Sequence, residues 1–279
     1  MRRRLSRHLE IALIIWSLLA GTALAQTPSQ HAWQILEAAA SSSKTEIRAD
    51  NARALGLVDS PKAVELLESA LDDKDADVRS AAATSLGMIK SKRSIPKLIE
   101  RGKKEADGDV IMAIAKALTD MGDPKGYEVF YAVVTGERKS GEGLIASQGK
   151  MLTEALKSPK SMAGMAFQQG MGFVPFGGVA LGAFEAILNS GKNEALVKAA
   201  AIRALAKDPD PRSGTALLTA TKDKEWIVRA AAFDALARRG DASLVPDMVN
   251  GLGDGADVVR LTAAAAIAKL GTGGNPHGK

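Results

Sequence analysis

The chain has 279 residues, with 37 lysines and arginines against 32 aspartates and glutamates, and it contains no cysteine. The absence of cysteine excludes disulfide bonds and lipid attachment through cysteine, so the fold must be stabilised by packing alone. Much of the positive charge belongs to the first 25 residues. Without them the chain keeps 33 basic and 31 acidic residues, which gives no support for a nucleic-acid partner.

Residues 1–25 have the pattern of a signal peptide. Four arginines precede an apolar stretch at 11–20, and Ala23-Leu24-Ala25 places small residues where a signal peptidase cuts. The alternative is an uncleaved membrane anchor, but the apolar stretch is shorter than the roughly 20 residues that a spanning helix needs. We therefore expect cleavage before Gln26 and a periplasmic or secreted protein.

The next predicted element is a helix over residues 29–41, within a segment at 26–44 that precedes the repeats. A solenoid needs a covered end, so this segment is predicted to be an N-terminal cap of the array.

A single pattern then recurs along the chain. Arg48 and Arg79 are 31 residues apart, and so are Lys198, Arg229 and Arg260 in turn. A fixed period of this size predicts a solenoid. The copies are TEIRADNARALG (45–56), DADVRSAAATSLG (75–87), DVIMAIAKALTDMG (109–122, with Ile111 in the basic position), ALVKAAAIRALA (195–206), EWIVRAAAFDALA (225–237) and ADVVRLTAAAAIAKLG (256–271).

Each repeat is predicted to contain two helices. The first is alanine-rich, which favours helix and lets neighbouring helices approach closely. It ends at glycine or a polar turn, and proline begins the second helix, which carries larger apolar residues at helical spacing, as in PKAVELLESAL at 61–71. The fold class is therefore all-α, with three units at 45–139 and three more at 193–271.

The motif D-x-x-V-R, followed by small residues and L-G and then by D-P, resembles the short HEAT-like repeat of the phycobilisome-lyase type. The resemblance implies an α-solenoid of about six two-helix units, in which acidic and basic residues form ladders between neighbouring units. On that analogy five residues are structural: Asp77, Arg79, Arg229, Asp257 and Arg260. Such repeats occur in bilin lyases and also in scaffolds that catalyse nothing, so the resemblance leaves the function open.

No catalytic, metal or cofactor-binding residue is predicted. Beyond residue 25 the only histidines are His31 and His277, and neither has a second ligand at a metal-binding spacing. The acidic run at 72–77 lacks the glycine and the final glutamate of a calcium loop. Neither a nucleophile motif nor a phosphate loop is present in the sequence. We therefore expect that the protein is not an enzyme, and a lyase-like activity ranks third among the functions considered.

Residues 140–192 interrupt the repeat. From Ile111 to Lys198 the chain runs 87 residues where 31 are expected, and the excess is nearly two periods, so two decayed repeats are one interpretation. Frequent glycine favours an insertion instead, with helices over about 143–157 and 178–189 joined by a loop.

The apolar part of this insertion, residues 162–188, contains the candidate contacts with a partner or a membrane: Phe167, Met171, Phe173, Phe176 and Phe184. Three interpretations remain open. The segment is a flap folded on the solenoid, a partner-binding element in which flexible methionines adapt to another surface, or a membrane contact.

These patterns predict an exported, non-catalytic scaffold that binds a protein partner in the cell envelope. The alternative is a peripheral membrane protein attached through residues 162–188. No cofactor and no nucleic acid is expected, and residues 272–279 are predicted to be a disordered tail.

Overall fold

The computed structural model describes residues 26–135 and 193–272, and these form α-helices and short 3-10 turns with no strand in either range. The all-α prediction is therefore confirmed. The predicted signal peptide, the insertion at 140–192 and the end of the tail lie outside the described residues. The helices are α1 (Pro28–Ala40), α2 (Thr45–Leu55), α3 (Pro61–Ala70), α4 (Ala76–Met88), α5 (Ile95–Lys104), α6 (Gly108–Asp120), α7 (Lys125–Thr135), α8 (Asn193–Leu205), α9 (Pro211–Ala220), α10 (Trp226–Arg239), α11 (Val245–Met248) and α12 (Asp257–Thr272).

Local signals explain where these helices begin and end. Ser60 caps α3 by accepting a hydrogen bond from the Ala63 amide at 3.2 Å, and Pro61 occupies the first turn. At the other kind of boundary, α10 ends at Gly240, whose φ of 78° places it in the left-handed region that glycine tolerates.

The helices pair into units of a first and a second helix: α2 with α3, α4 with α5, α6 with α7, α8 with α9, and α10 with the segment around α11. The first helices pack side by side in the order α8, α10, α12, α2, α4, α6. The order of units in space is therefore 4, 5, 6, 1, 2, 3, so the second half of the chain precedes the first half in the stack.

Helix α1 completes the sixth unit. It packs against α12, and in the layer of second helices it also contacts α3 on one side and the turn at Val249–Gly253 on the other. The ends of α1 and α12 meet closely, because a Cβ added to Gly271 would lie 2.7 Å from the Cβ of Ser29. One unit is thus assembled from the two ends of the described array.

This arrangement shows that the predicted position of the N-terminal helix was wrong. Helix α1 does not cover an exposed end of the stack but lies inside it, between units 5 and 1 in the layer of second helices. The physical reason is that α1 has the register of a second helix without a first helix before it, and α12 supplies that first helix. Within the described residues, the ends of the stack are α6 with α7 and α8 with α9.

We call the residues of a first helix that point toward the preceding unit its leading face. In α4 this face is Val78, Ala82 and Ser85, and the Ser85 hydroxyl donates to the Ala52 carbonyl of α2 at 2.8 Å. All three residues are at most 1 % exposed. The alanines of the repeat therefore serve close packing between successive first helices, as the sequence predicts.

Candidate functional site

An arginine ladder runs through the turns between units. Arg229 forms two parallel hydrogen bonds to Asp254, at 2.7 Å from Nε to Oδ2 and 2.8 Å from Nη2 to Oδ1. Its third nitrogen, Nη1, donates to the carbonyls of Asp223 and Lys224 at 3.0 and 3.1 Å. One side chain therefore joins the turn before its own helix to the turn that ends its unit. This bidentate geometry suits arginine and not lysine.

The same arrangement recurs in the first half of the chain. Arg48 binds Asp73 at 2.6 and 2.8 Å, and Arg79 binds Glu105 at 2.7 and 2.8 Å. The carbonyl of Asp73 accepts a hydrogen bond from Arg79 at 2.9 Å, so consecutive steps share a residue. Lys198 takes the arginine position in unit 4 and reaches Asp223 at 3.4 Å.

Each acidic member of the ladder also orders its own turn. Oδ1 of Asp254 accepts the Ala256 amide at 2.9 Å, and Oε1 of Glu105 accepts the Asp107 amide at 3.0 Å. The carboxylate thus holds the turn that begins the next first helix while it binds the arginine of the unit before. These charged side chains hold the turns between units in place, and they do not surround a substrate site.

The ladder differs from its predicted form in the acidic partners. Arg79 and Arg229 lie in the ladder, but Asp77 is exposed on the surface and the carboxylate of Asp257 binds Arg260 within α12. The acidic partners are in the turns that end each unit, about 25 residues after the arginine. The sequence motif places an aspartate close to the arginine along the chain, and that proximity was misleading.

Two positions interrupt the ladder. Ile111 occupies the arginine position of unit 3 and offers no charge there. In the turn before it, Glu105 accepts hydrogen bonds from Arg101 at 2.8 and 2.9 Å in addition to those from Arg79. At the junction between α12 and unit 1, Ser42 occupies the acidic position: its hydroxyl accepts the Lys44 amide at 3.2 Å and its carbonyl accepts Arg48 at 2.9 Å. A serine offers no carboxylate to Arg260.

Glu105 is the most strongly perturbed acid of the ladder. Its burial, which leaves 1 % of the residue exposed, would raise the pKa, but hydrogen bonds from Arg79, the Asp107 amide and Arg101 outweigh burial and lower the pKa to about 2. The hydrogen bonds from Arg229 likewise lower the pKa of Asp254. Both shifts stabilise the charged, folded form and create no group that titrates near neutral pH.

Asn51 lies on the leading face of α2, at the junction with α12, in the position that Ala82, Ala232 and Ala263 occupy in other units. It is 2 % exposed, and its amide donates to the Leu36 carbonyl of α1 at 3.0 Å. Its Oδ1 has no hydrogen-bond partner among the described residues. The amide therefore links unit 1, through α2, to α1 of the sixth unit.

The sequence-predicted contact residues of the insertion, from Phe167 to Phe184, lie outside the described residues. Within 26–135 and 193–272, no cluster of histidine, aspartate and glutamate could hold a metal ion. In those same ranges no helix combines the length and hydrophobicity needed to cross a bilayer.

Large apolar side chains are exposed mainly at the two ends of the stack. Tyr127 and Tyr131, on α7, are 64 % and 47 % exposed, and Val197, on α8, is 66 % exposed. Met88, at the end of α4, is also exposed. Sequence reasoning missed these positions. Val197 has buried counterparts in other units, and the spatial order of the units shows which of the described helices lie at the ends of the stack.

A family model described as HEAT repeats matches residues 32–119 and 183–271. Among solved structures, the chain is similar to human deoxyhypusine hydroxylase in complex with glycerol, with 16 % identity, a TM-score of 0.33, and coverage of 88 % of this chain and 97 % of that one. It is also similar to the complex of CpcE and CpcF of phycocyanin lyase from Nostoc sp., with 18 % identity, a TM-score of 0.33, and coverage of 89 % and 97 %. No curated protein matches the sequence.

The HEAT-like resemblance is therefore confirmed at the level of the repeat. Similarity to solved structures at this TM-score indicates nothing about activity. The family match covers more than half of the chain, and the packed two-helix units agree with it. The chain belongs to the HEAT repeat proteins.

Proposed function

We propose that the protein is an exported, non-catalytic scaffold that binds a protein partner in the cell envelope through α7. HEAT repeats are typical of helical scaffolds for protein interaction. The observation that carries the proposal is the pair of exposed tyrosines, Tyr127 and Tyr131, one helical turn apart at an end of the stack.

Tyrosines in such a position suit protein recognition. Tyrosine in general combines a large apolar area with a polar end at a small cost in conformational entropy, and it is enriched among the residues that dominate interface energies. The recurring charged residues cannot serve a reaction at the same time, because the ladder already uses them. The proposed partner surface therefore lies on a terminal second helix.

Affinity capture from the cell envelope tests this surface. The mature chain, tagged at its C-terminus, is compared with the double variant Tyr127→Ala and Tyr131→Ala and with Met88→Ala, which removes an exposed apolar side chain elsewhere. We expect the double variant to lose about tenfold or more of the captured partner with an unchanged melting temperature. Equal capture by all three proteins would refute the role of α7.

Export has its own test. We expect the protein purified from the envelope to begin at Gln26, because residues 1–25 have the order of regions that signal peptidase requires. N-terminal sequencing measures this directly, and an intact Met1 on a cytosolic product would contradict it.

The second candidate function is peripheral membrane attachment through residues 162–188. The observation in its favour is the uncharged stretch at 161–184. Fractionation separates the two proposals: an attached protein sediments with membranes after a high-salt wash, whereas the proposed scaffold stays in the soluble envelope fraction when its partner is soluble.

A further inference from the structure

Helix α8 exposes a leading face that the other first helices bury. Val197 is 66 % exposed, and Ala201 and Ala204 on the same face are also exposed. The corresponding residues of α4, α6, α10 and α12 are at most 1 % exposed, and they are Val78, Ala82, Ser85, Val110, Ile114, Ala117, Val228, Ala232, Ala235, Val259, Ala263 and Ala266.

The spatial order of units explains the difference. Helices α4, α6, α10 and α12 each pack against the first helix of the preceding unit, and α2 packs against α12. Asn51 and Ala54 on the leading face of α2 are accordingly buried. Among the described first helices α8 comes first in the stack, so its leading face has the composition of a packed interface but contacts no other described first helix there.

We propose that α8 is a self-association surface and that its partner is α8 of a second copy of this chain across a twofold axis. The inference goes beyond the proposed partner site on α7 and does not depend on it. Alanine-rich first helices pack on one another throughout this chain, which identifies the chemistry that fits the face. Among the described first helices only α8 leaves its leading face exposed, so a second copy offers the same face in return.

The charges at the two ends of α8 favour an antiparallel pair. Glu194 lies at the start of the helix and Lys207 just after its end, and both are exposed. An antiparallel twofold arrangement places Glu194 of one copy near Lys207 of the other. Within each copy Glu194 also forms an ion pair with Lys198 at 3.1 Å. Its charge is therefore already balanced when the two helices approach each other.

Two measurements on the full mature chain test the proposal. In sedimentation equilibrium we expect a reversible monomer–dimer equilibrium that Val197→Glu weakens by about tenfold or more, because it places a charge in an apolar contact. Since Val197 is exposed in the single chain, the variant should keep the melting temperature of the parent.

The absence of native cysteine allows a direct geometric test. Ala201→Cys should form a disulfide-linked dimer faster than Thr215→Cys, a matched control that places an exposed cysteine on α9. A chain that sediments as a monomer at every concentration would overturn the proposal. So would a dimer that Val197→Glu does not weaken, or equal crosslinking by the two cysteine variants.

Discussion

Replacing Glu105 by glutamine should remove the most strongly held rung of the ladder. The carboxylate is 1 % exposed and accepts hydrogen bonds from Arg79 at 2.7 and 2.8 Å, from Arg101, and from the Asp107 amide. Glutamine keeps the shape of the side chain but offers one acceptor oxygen and no charge to two arginines. Arg79, itself 8 % exposed, would lose its counterion.

The pKa of Glu105 sets the size of the effect. Folding lowers it from 4.5 to about 2. A shift of this size corresponds to about 3 kcal/mol of stability at neutral pH, since each pKa unit is worth about 1.4 kcal/mol. For a protein of this length, we expect the melting temperature of Glu105→Gln to fall by about 6–12 °C. The matched control is Glu100→Gln on the same helix, where the carboxylate is exposed and pairs only with Lys104 on the surface.

The pH dependence gives an independent check. Because the folded pKa of Glu105 is depressed, its contribution is fully present above pH 4.5 and is lost as the pH falls from 4.5 toward 2. Thermal melting followed by circular dichroism should therefore show the parent and Glu105→Gln converging across this range. If Glu105→Gln melts like Glu100→Gln at pH 7, or if its difference from the parent does not shrink on acidification, the structural role assigned to this carboxylate is refuted.

Three other changes test the ladder and the order of the stack. In a circular permutant, residues 193–272 come first and a short linker joins them to residues 26–135, which keeps the packed neighbours of every described helix. We expect helical circular dichroism and cooperative melting, and a molten or unfolded product would contradict the spatial order of the units. Ser42→Asp places a carboxylate in the turn where the spacing of the ladder predicts the partner of Arg260. Denaturant melts should show a gain of about 0.5–1 kcal/mol, whereas a loss would show that Arg260 does not reach it. Arg229→Ala leaves a part-buried carboxylate without its partner and should cost about 2 kcal/mol in the same assay; an unchanged midpoint with lost partner binding would show that the arginine recognises a ligand instead.

The sequence was sufficient for the repeat and its helices, because period, alanine content and turn residues act locally. The ladder was only half predictable. Arg79 and Arg229 recur in phase, but Asp254 lies 25 residues from its arginine, and a distance of that kind becomes short only when two helices fold back. Asp257 was predicted to be a ladder residue because it lies three residues from Arg260 in the chain, and the structure shows that it pairs with Arg260 within one helix.

The unit formed by α12 and α1 could not be predicted from the order of the repeats along the chain. In the described part of the chain α1 follows no first helix, and α12 has the pattern of a first helix, yet only packing shows that these two elements form one unit. Val197 illustrates the same limit. It holds the same position in the repeat as the buried Val78 and Val228, and its exposure depends on which helix is next to it in space.

The junction between α1 and α12 makes the packing of the first described helix depend on the synthesis of the last one. About 200 residues separate these helices, so during synthesis α1 and α2 emerge long before the helix that covers Asn51. The entropy of closing a loop grows slowly with its length, so this separation delays the contact far more than it weakens it. Limited proteolysis can measure the delay as faster cleavage within α1 and α2 in a chain that stops before α12. A chain that stops before α12 would thus leave apolar surface of α1 and α2 uncovered, which proteases and chaperones recognise, and the contact that covers this surface forms only after α12 has been synthesised.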